Sequence, residues 1–231
     1  LLAARAEAAA AHGELATAGA DLRTALADTP SGPQRSRRRS RLAMLTFGAR
    51  DPHLAAELAE LALVEADSDA AARAFALETA AIIDMNLGHP DRARTRAEEA
   101  LRLSRDHGDG GGVARILDGR AMATFLDGRI ADGVAVFGRV AQLFTDSGDL
   151  LRVVTPLSTR GHGLVFMARP TEGLEVTTAA LQLARDLDAP EGQAYALWHR
   201  SEALSALARA AEAAADAAEA LAIARAVDHQ G

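Results

Sequence analysis

Three arginines stand 40 residues apart, at Arg120, Arg160 and Arg200. Guanidiniums repeated at one position could grip a carboxylate or phosphate through paired N–H donors. They could equally pair with Asp84, Asp118 or Glu202 as salt bridges between repeats, and this structural pairing is preferred. A second basic feature, Arg35-Ser36-Arg37-Arg38-Arg39-Ser40-Arg41, sets five arginines in seven residues. No aromatic interleaves it and the chain is acidic overall, so it reads as a solvated or domain-docking helix face rather than a nucleic-acid contact. Asp109-Gly110-Gly111-Gly112 could cradle an anion at a helix start, but it has no phosphate-loop sequence and reads as a flexible link. The seven histidines lack helical metal-ligand spacing, and no GxSxG, HExxH or DxDxDG pattern occurs. The expectation is a non-enzyme without metal or cofactor.

Composition narrows the class. Of 231 residues, roughly a quarter are alanine and only 3% are aromatic. Alanine is the strongest helix former and lets helices approach closely. Cysteine is absent, which excludes disulfides and thiolate metal sites. Every one of the 25 basic residues is arginine, so lysine chemistry, including the phosphate loop ending GK[ST], is excluded as well. The net charge of −7 argues against direct nucleic-acid binding. No apolar run is long enough to span a membrane.

Positioning falls to a repeat. Gly48, Gly88, Gly128, Ala168 and Ala208 mark successive turns at a spacing of 40. The same shift aligns Leu77, Leu117, Leu157 and Leu197; then Ala81, Ala121, Gly161 and Ser201; then Ala93, Gly133, Gly173 and Ala213. Such a period signals stacked units, each packing on its neighbours. Each unit reads as two antiparallel helices. The spans are about 69–87 with 91–105, 112–126 with 130–145, 150–167 with 171–186, and 190–207 with 209–227. Asp69, Asp149 and Thr171 are expected N-caps. Leu2, Ala6, Gly13, Ala18 and Ala25 fit a first unit at a shorter offset. The second unit reads as degenerate, with Arg37–Arg41 where its columns belong and a break or kink at Thr29-Pro30-Ser31-Gly32-Pro33.

At these columns the chain resembles the tetratricopeptide repeat (TPR). A large apolar residue is followed by small ones 4, 16 and 23 positions on, as in Leu77, Ala81, Ala93 and Ala100 or Leu157, Gly161, Gly173 and Ala180. The match covers about 69–227 well and 1–68 weakly. The period of 40 and the lack of a proline ending the second helix depart from the commoner unit; both resemble the helical-repeat region of large ATP-binding LuxR-type bacterial regulators. The TPR resemblance implies that the first helix of each pair lines a concave face. Phe75, Met122, Phe125, His162, Phe166, Tyr195 and Trp198 would then lie along it, including five of the chain's eight aromatics. Ring anchors with a few polar groups suit a ligand or peptide. The same rings could instead pack the long helices against the next unit.

The expected architecture is therefore an all-α, right-handed superhelical solenoid of about six helix pairs. It would form one repeat domain over 1–231, with two atypical repeats in 1–68 and four regular ones in 69–231. The chain is expected to be a piece of a longer cytoplasmic bacterial protein. The expected function is a non-catalytic sensor arm of a transcriptional regulator, holding a small-molecule effector or partner segment. The alternative is a stand-alone scaffold that grips a peptide or helix of a partner protein. Other domains of the parent chain are expected partners, nucleic acid and membrane are not, and self-association stays open.

Overall fold

The computed structural model describes residues 2–11 and 15–227. Among them lie twelve α-helices: α1 (Leu2–Ala11), α2 (Leu15–Ala27), α3 (Pro33–Gly48), α4 (Pro52–Ala66), α5 (Ala70–Asn86), α6 (Pro90–Asp106), α7 (Gly110–Leu126), α8 (Ile130–Asp146), α9 (Val154–Phe166), α10 (Pro170–Asp186), α11 (Pro190–Ala206) and α12 (Ala210–Ala226). A single 3-10 turn, Leu150–Val153, precedes α9. No strand occurs among the described residues. The chain divides into two compact units, residues 1–116 and 117–231. In the first, α3 packs on α4 and α5, and α5 on α6; in the second, α9 packs on α8, α10 and α11, and α11 on α12.

The regular helices are 17 residues long and the turns between them three, so the backbone repeats every 20 residues and the side-chain pattern every 40. Gly88, Gly108, Gly128, Gly148, Ala168, Asp188 and Ala208 all adopt left-handed φ, between 49° and 82°. Each ends a helix in the same way. At the first, Gly88 N–H donates to the Met85 carbonyl (3.2 Å) and His89 N–H to the Asp84 carbonyl (2.9 Å). These bonds satisfy carbonyls that a helix end leaves without partners. Gly48 does not have this role: it is the last residue of α3, and the left-handed residue is Arg50.

That two-residue displacement corrects the reading of the second repeat. Helix α4 is 15 residues long, two fewer than its counterparts. The register to the third repeat is therefore 38, and Ala43, Ala55 and Ala62 occupy the small columns, all fully buried. The second repeat is intact in its packing, and the stretch 29–33 is the connection into α3, with Gly32 at φ 135°. In the first repeat Ala6, Ala18 and Ala25 are buried as expected. Gly13 lies outside the described residues.

The small columns act through close approach. A Cβ on Gly173 would lie 2.7 Å from the Gly161 carbonyl oxygen, and one on Gly161 would lie 3.0 Å from that of Gly173. Helices α9 and α10 cross here with no room for a side chain. Asp69 caps α5 by accepting from Ala72 N–H at 2.7 Å. Asp149 accepts no capping bond, and Thr171 is already inside α10, whose N-cap position is Arg169. Gly110–Gly112 form the first turn of α7 rather than a link, and Asp109 accepts from Gly112 N–H at 2.8 Å. The donor that an anion would need is thereby already engaged.

Candidate functional site

Most of the conspicuous cations have internal partners. Arg39 makes two bonds to Glu65, at 2.8 and 2.7 Å. Arg35 pairs with the same carboxylate at 3.0 Å, and Arg37 with Asp69 at 3.2 Å. Arg38 donates to the Thr29 hydroxyl and the Ala25 carbonyl. These contacts tie α3 to α4, to the start of α5, and to α2 with the connection that follows it, and Ser36 and Ser40 fill the fully buried positions between the arginines. The basic run is thus largely tied to its own chain, with Arg37 and Arg41 still open to solvent. Of the three arginines spaced by 40, Arg200 makes a two-pronged pair with Asp216 of its own repeat, at 2.6 and 2.7 Å. Of the partners considered from sequence, Asp84 is engaged with Arg92 and Arg96, and Glu202 with two histidines.

In the second unit the rings form a continuous array. Phe125 of α7 meets Phe137 edge-on at 6.1 Å and lies 5.9 Å from His162 and 6.2 Å from Phe166, both of α9. His162 touches Phe166 at 4.5 Å and His199 of α11 at 4.5 Å. His199 is held in turn by Tyr195 (4.5 Å, perpendicular) and Trp198 (4.6 Å, stacked). Two residues shape the base. Gly163 leaves space for the Phe125 ring, whose Cε2 would be 2.8 Å from a Cβ placed there. The Tyr195 hydroxyl and Thr159 Oγ1 lie 3.0 Å apart. Met122 packs against the core that Phe125, Phe137 and Leu164 form. Each ring pair adds about 0.5–1.5 kcal/mol beyond simple burial.

The array is buried at its base and open at its edge. Phe125 is 8% exposed and His199 3%, whereas Trp198 is 51% and Phe166 64% exposed. Phe75 belongs to the first unit, where the Arg115 guanidinium lies 5.6 Å from its ring centre and bonds Glu78 at 2.8 and 2.9 Å.

Polar groups sit among the rings. Glu202 Oε2 contacts Nδ1 of His162 and lies 3.2 Å from Nδ1 of His199. His162 Nδ1, despite that contact, has no aligned hydrogen-bond partner, and His199 Nε2, on the side of its ring away from Glu202, is also buried without one. Burial, with His199 nearby, pushes the His162 imidazole below its ordinary value against the pull of Glu202. Burial also opposes ionisation of Glu202, but the bond from His199 and the two imidazoles outweigh it and hold that carboxyl low. Asp118 of α7 has the reverse outcome: burial raises it to about 6, against the opposing charge of Arg152. Tyr195 is raised by burial, with Asp118 and Glu202 adding to the effect.

His199 and Thr159 had no place in the sequence-derived site, and Glu202 and Asp118 entered as inward-facing positions and as partners for the arginines, not as site residues. A signal was present. His162 and Glu202 are 40 apart, hence in one column of adjacent repeats, and His199 precedes Glu202 by three on the same helix. A search for metal spacing within single helices passes over such a set.

No family model and no curated protein matches the chain. Solved structures do. BtubC from P. vanneervenii superposes with a TM-score of 0.69 at 18% identity, covering 96% of this chain and 92% of that one. A kinesin-light-chain-type protein from Podosopora anserina with nearly identical TPR-like repeats gives 0.62 at 14% identity, over 87% of this chain and 100% of that one. A Rap protein complexed with competence and sporulation factor gives 0.75 at 12% identity, over 100% of this chain and 76% of that one. No described helix is long and apolar enough to cross a membrane. The fold of this chain is the TPR-like array of helix pairs.

Proposed function

We propose that this chain is a non-catalytic binding module that takes a peptide or protein segment against the ring array of its second unit. The observation that carries the reading is the pair of half-exposed anchors, Trp198 and Phe166, standing on rings that are already packed beneath them. Exposed aromatics on a preformed base give contact area at little ordering cost. Asp118 and Glu202 among the rings favour a segment that carries a cationic side chain next to an apolar one. The complex of a Rap protein with competence and sporulation factor supports reading this fold as a holder of a partner.

The test is selection from a displayed peptide library against the full chain. Enriched peptides should pair an apolar anchor with Arg or Lys. Trp198→Ala should weaken their binding by about 2 kcal/mol or more while changing stability by about 1 kcal/mol or less. A large stability loss with unchanged peptide affinity would return Trp198 to the packing role that the sequence also allowed.

A finer reading places the module as the sensor arm of a LuxR-type regulator. It derives from the proline-free period of 40, the composition and the style of the links between repeats. The parent reading frame tests it. A phosphate-binding loop upstream with a helix-turn-helix downstream would support the sensor arm; their joint absence would favour the scaffold.

A further inference from the structure

The polar heart of the ring array, which shares Glu202 with the proposed peptide contact, has a further chemistry. His162, His199 and Glu202 each offer one ligand atom, and these atoms lie within 4.8 Å of one another. Two imidazoles and one carboxylate match the borderline divalent cations of the first transition row, Zn2+ foremost. Tetrahedral zinc, with ligand bonds of about 2.0–2.2 Å, sets its ligand atoms about 3.4 Å apart. Side-chain rotations moving each atom by about 1 Å would close the present cluster on one ion.

A second observation points the same way. His162 Nδ1, which faces Glu202 Oε2, is buried without an aligned hydrogen-bond partner. A buried polar atom in that state costs about 1–3 kcal/mol and calls for a reason. Glu202 Oε2 faces Nδ1 of both rings, which brings the lone pairs of three side chains to one place. The rings around them act as supports. Trp198 and Tyr195 fix the His199 plane, and Phe166 fixes that of His162.

We infer that His162, His199 and Glu202 form a binding site for a Zn2+-class divalent cation that ties α9 to α11. The ion takes three protein ligands and keeps a fourth position beside the exposed Phe166 and Trp198. That position is open to water or to a donor side chain of a bound segment. The inference shares Glu202 with the peptide-binding reading but is tested apart from it, since metal titration needs no partner.

The experiment is calorimetric titration of the metal-stripped full chain with Zn2+, with Co2+ absorption reporting coordination geometry. Wild type should bind one ion, show the intense visible bands of tetrahedral Co2+, and melt several degrees higher with saturating Zn2+. His162→Ala and Glu202→Gln should each weaken binding at least about tenfold, judged against the second-sphere effects of 10–100-fold seen at zinc sites. The His53→Ala, His89→Ala, His107→Ala triple variant should bind as wild type does. Glu202→Gln keeps the side-chain volume, so its circular dichroism separates ligand loss from unfolding. Absence of saturable binding, or binding that survives the cluster variants and disappears with the surface histidines, would overturn the site.

Discussion

The two compact units are built from the same repeat but stabilised differently. In the first, the buried apolar residues are mostly alanines, and Ile83 is its largest fully buried side chain. Charged pairs fill the gaps that small side chains leave. Asp84, 1% exposed, is held by Arg92 and Arg96; Glu78, 8% exposed, is held by Arg115. In the second unit Phe137, Phe144, Leu164, Leu181 and Leu197 are fully buried, and the acids Asp118 and Glu202 lie among rings. A core of alanines brings helix backbones close and gains little apolar area per residue, so long arginines reach across to bind the acids between helices. The second unit keeps one such tie, between Arg200 and the buried Asp216. Asp118 and Glu202 are the acids left to serve a site.

This contrast can be broken first in the second core. Phe137→Ala should cost about 3–5 kcal/mol in urea denaturation. Ile83→Ala in the first unit should cost less, about 2–4 kcal/mol. Equal losses would mean that the two cores are energetically alike.

The ties of the first unit come next. Arg96→Met removes one of two cations from buried Asp84 and should cost about 2–3 kcal/mol. The exposed Arg185–Glu219 pair of the second unit is the control, and Arg185→Met should stay within about 0.5 kcal/mol. A small effect at Arg96 would show that Arg92 alone suffices.

The smallest expected effect concerns Asp118, whose carboxyl is raised from 3.8 to about 6 by burial. The folded chain keeps that proton longer than the unfolded one, so stability falls as pH rises from about 4 to 6. Asp118→Asn should therefore stabilise at pH 7 by about 1–2 kcal/mol and give no gain below pH 4. The lowered His162 works in the opposite sense: its contribution is complete above its unfolded value of 6.5 and is lost as pH falls below that. Melting curves of wild type and Asp118→Asn across pH 3–8 separate the two.

Much of the fold was legible because helix pairs with small crossing residues impose a strict spacing. The columns from Ala81 to Ser201 and from Ala93 to Ala213 are buried as that spacing requires. The 38-residue register of the second repeat escaped a fixed period of 40, since the shortening of α4 by two residues displaces every column before it. Phe125, His162, Phe166, Tyr195 and Trp198 meet because equivalent positions of adjacent first helices are neighbours.

From Gly88 onward the sequence alone determined where the chain turns and which faces carry small residues, since these follow from local helix geometry and from side chains that leave no alternative packing; the earlier turn, at Arg50 and not Gly48, was set by the shortened repeat. Only the tertiary structure decided which arginine meets which acid. Arg200 with Asp216 and Arg39 with Glu65 are 16 and 26 residues apart, and a flexible guanidinium can reach several carboxylates until the helices are packed. It alone decided that His199 turns inward against His162 and Glu202, because α9 and α11 are separated by a whole intervening helix and meet only once the repeats stack.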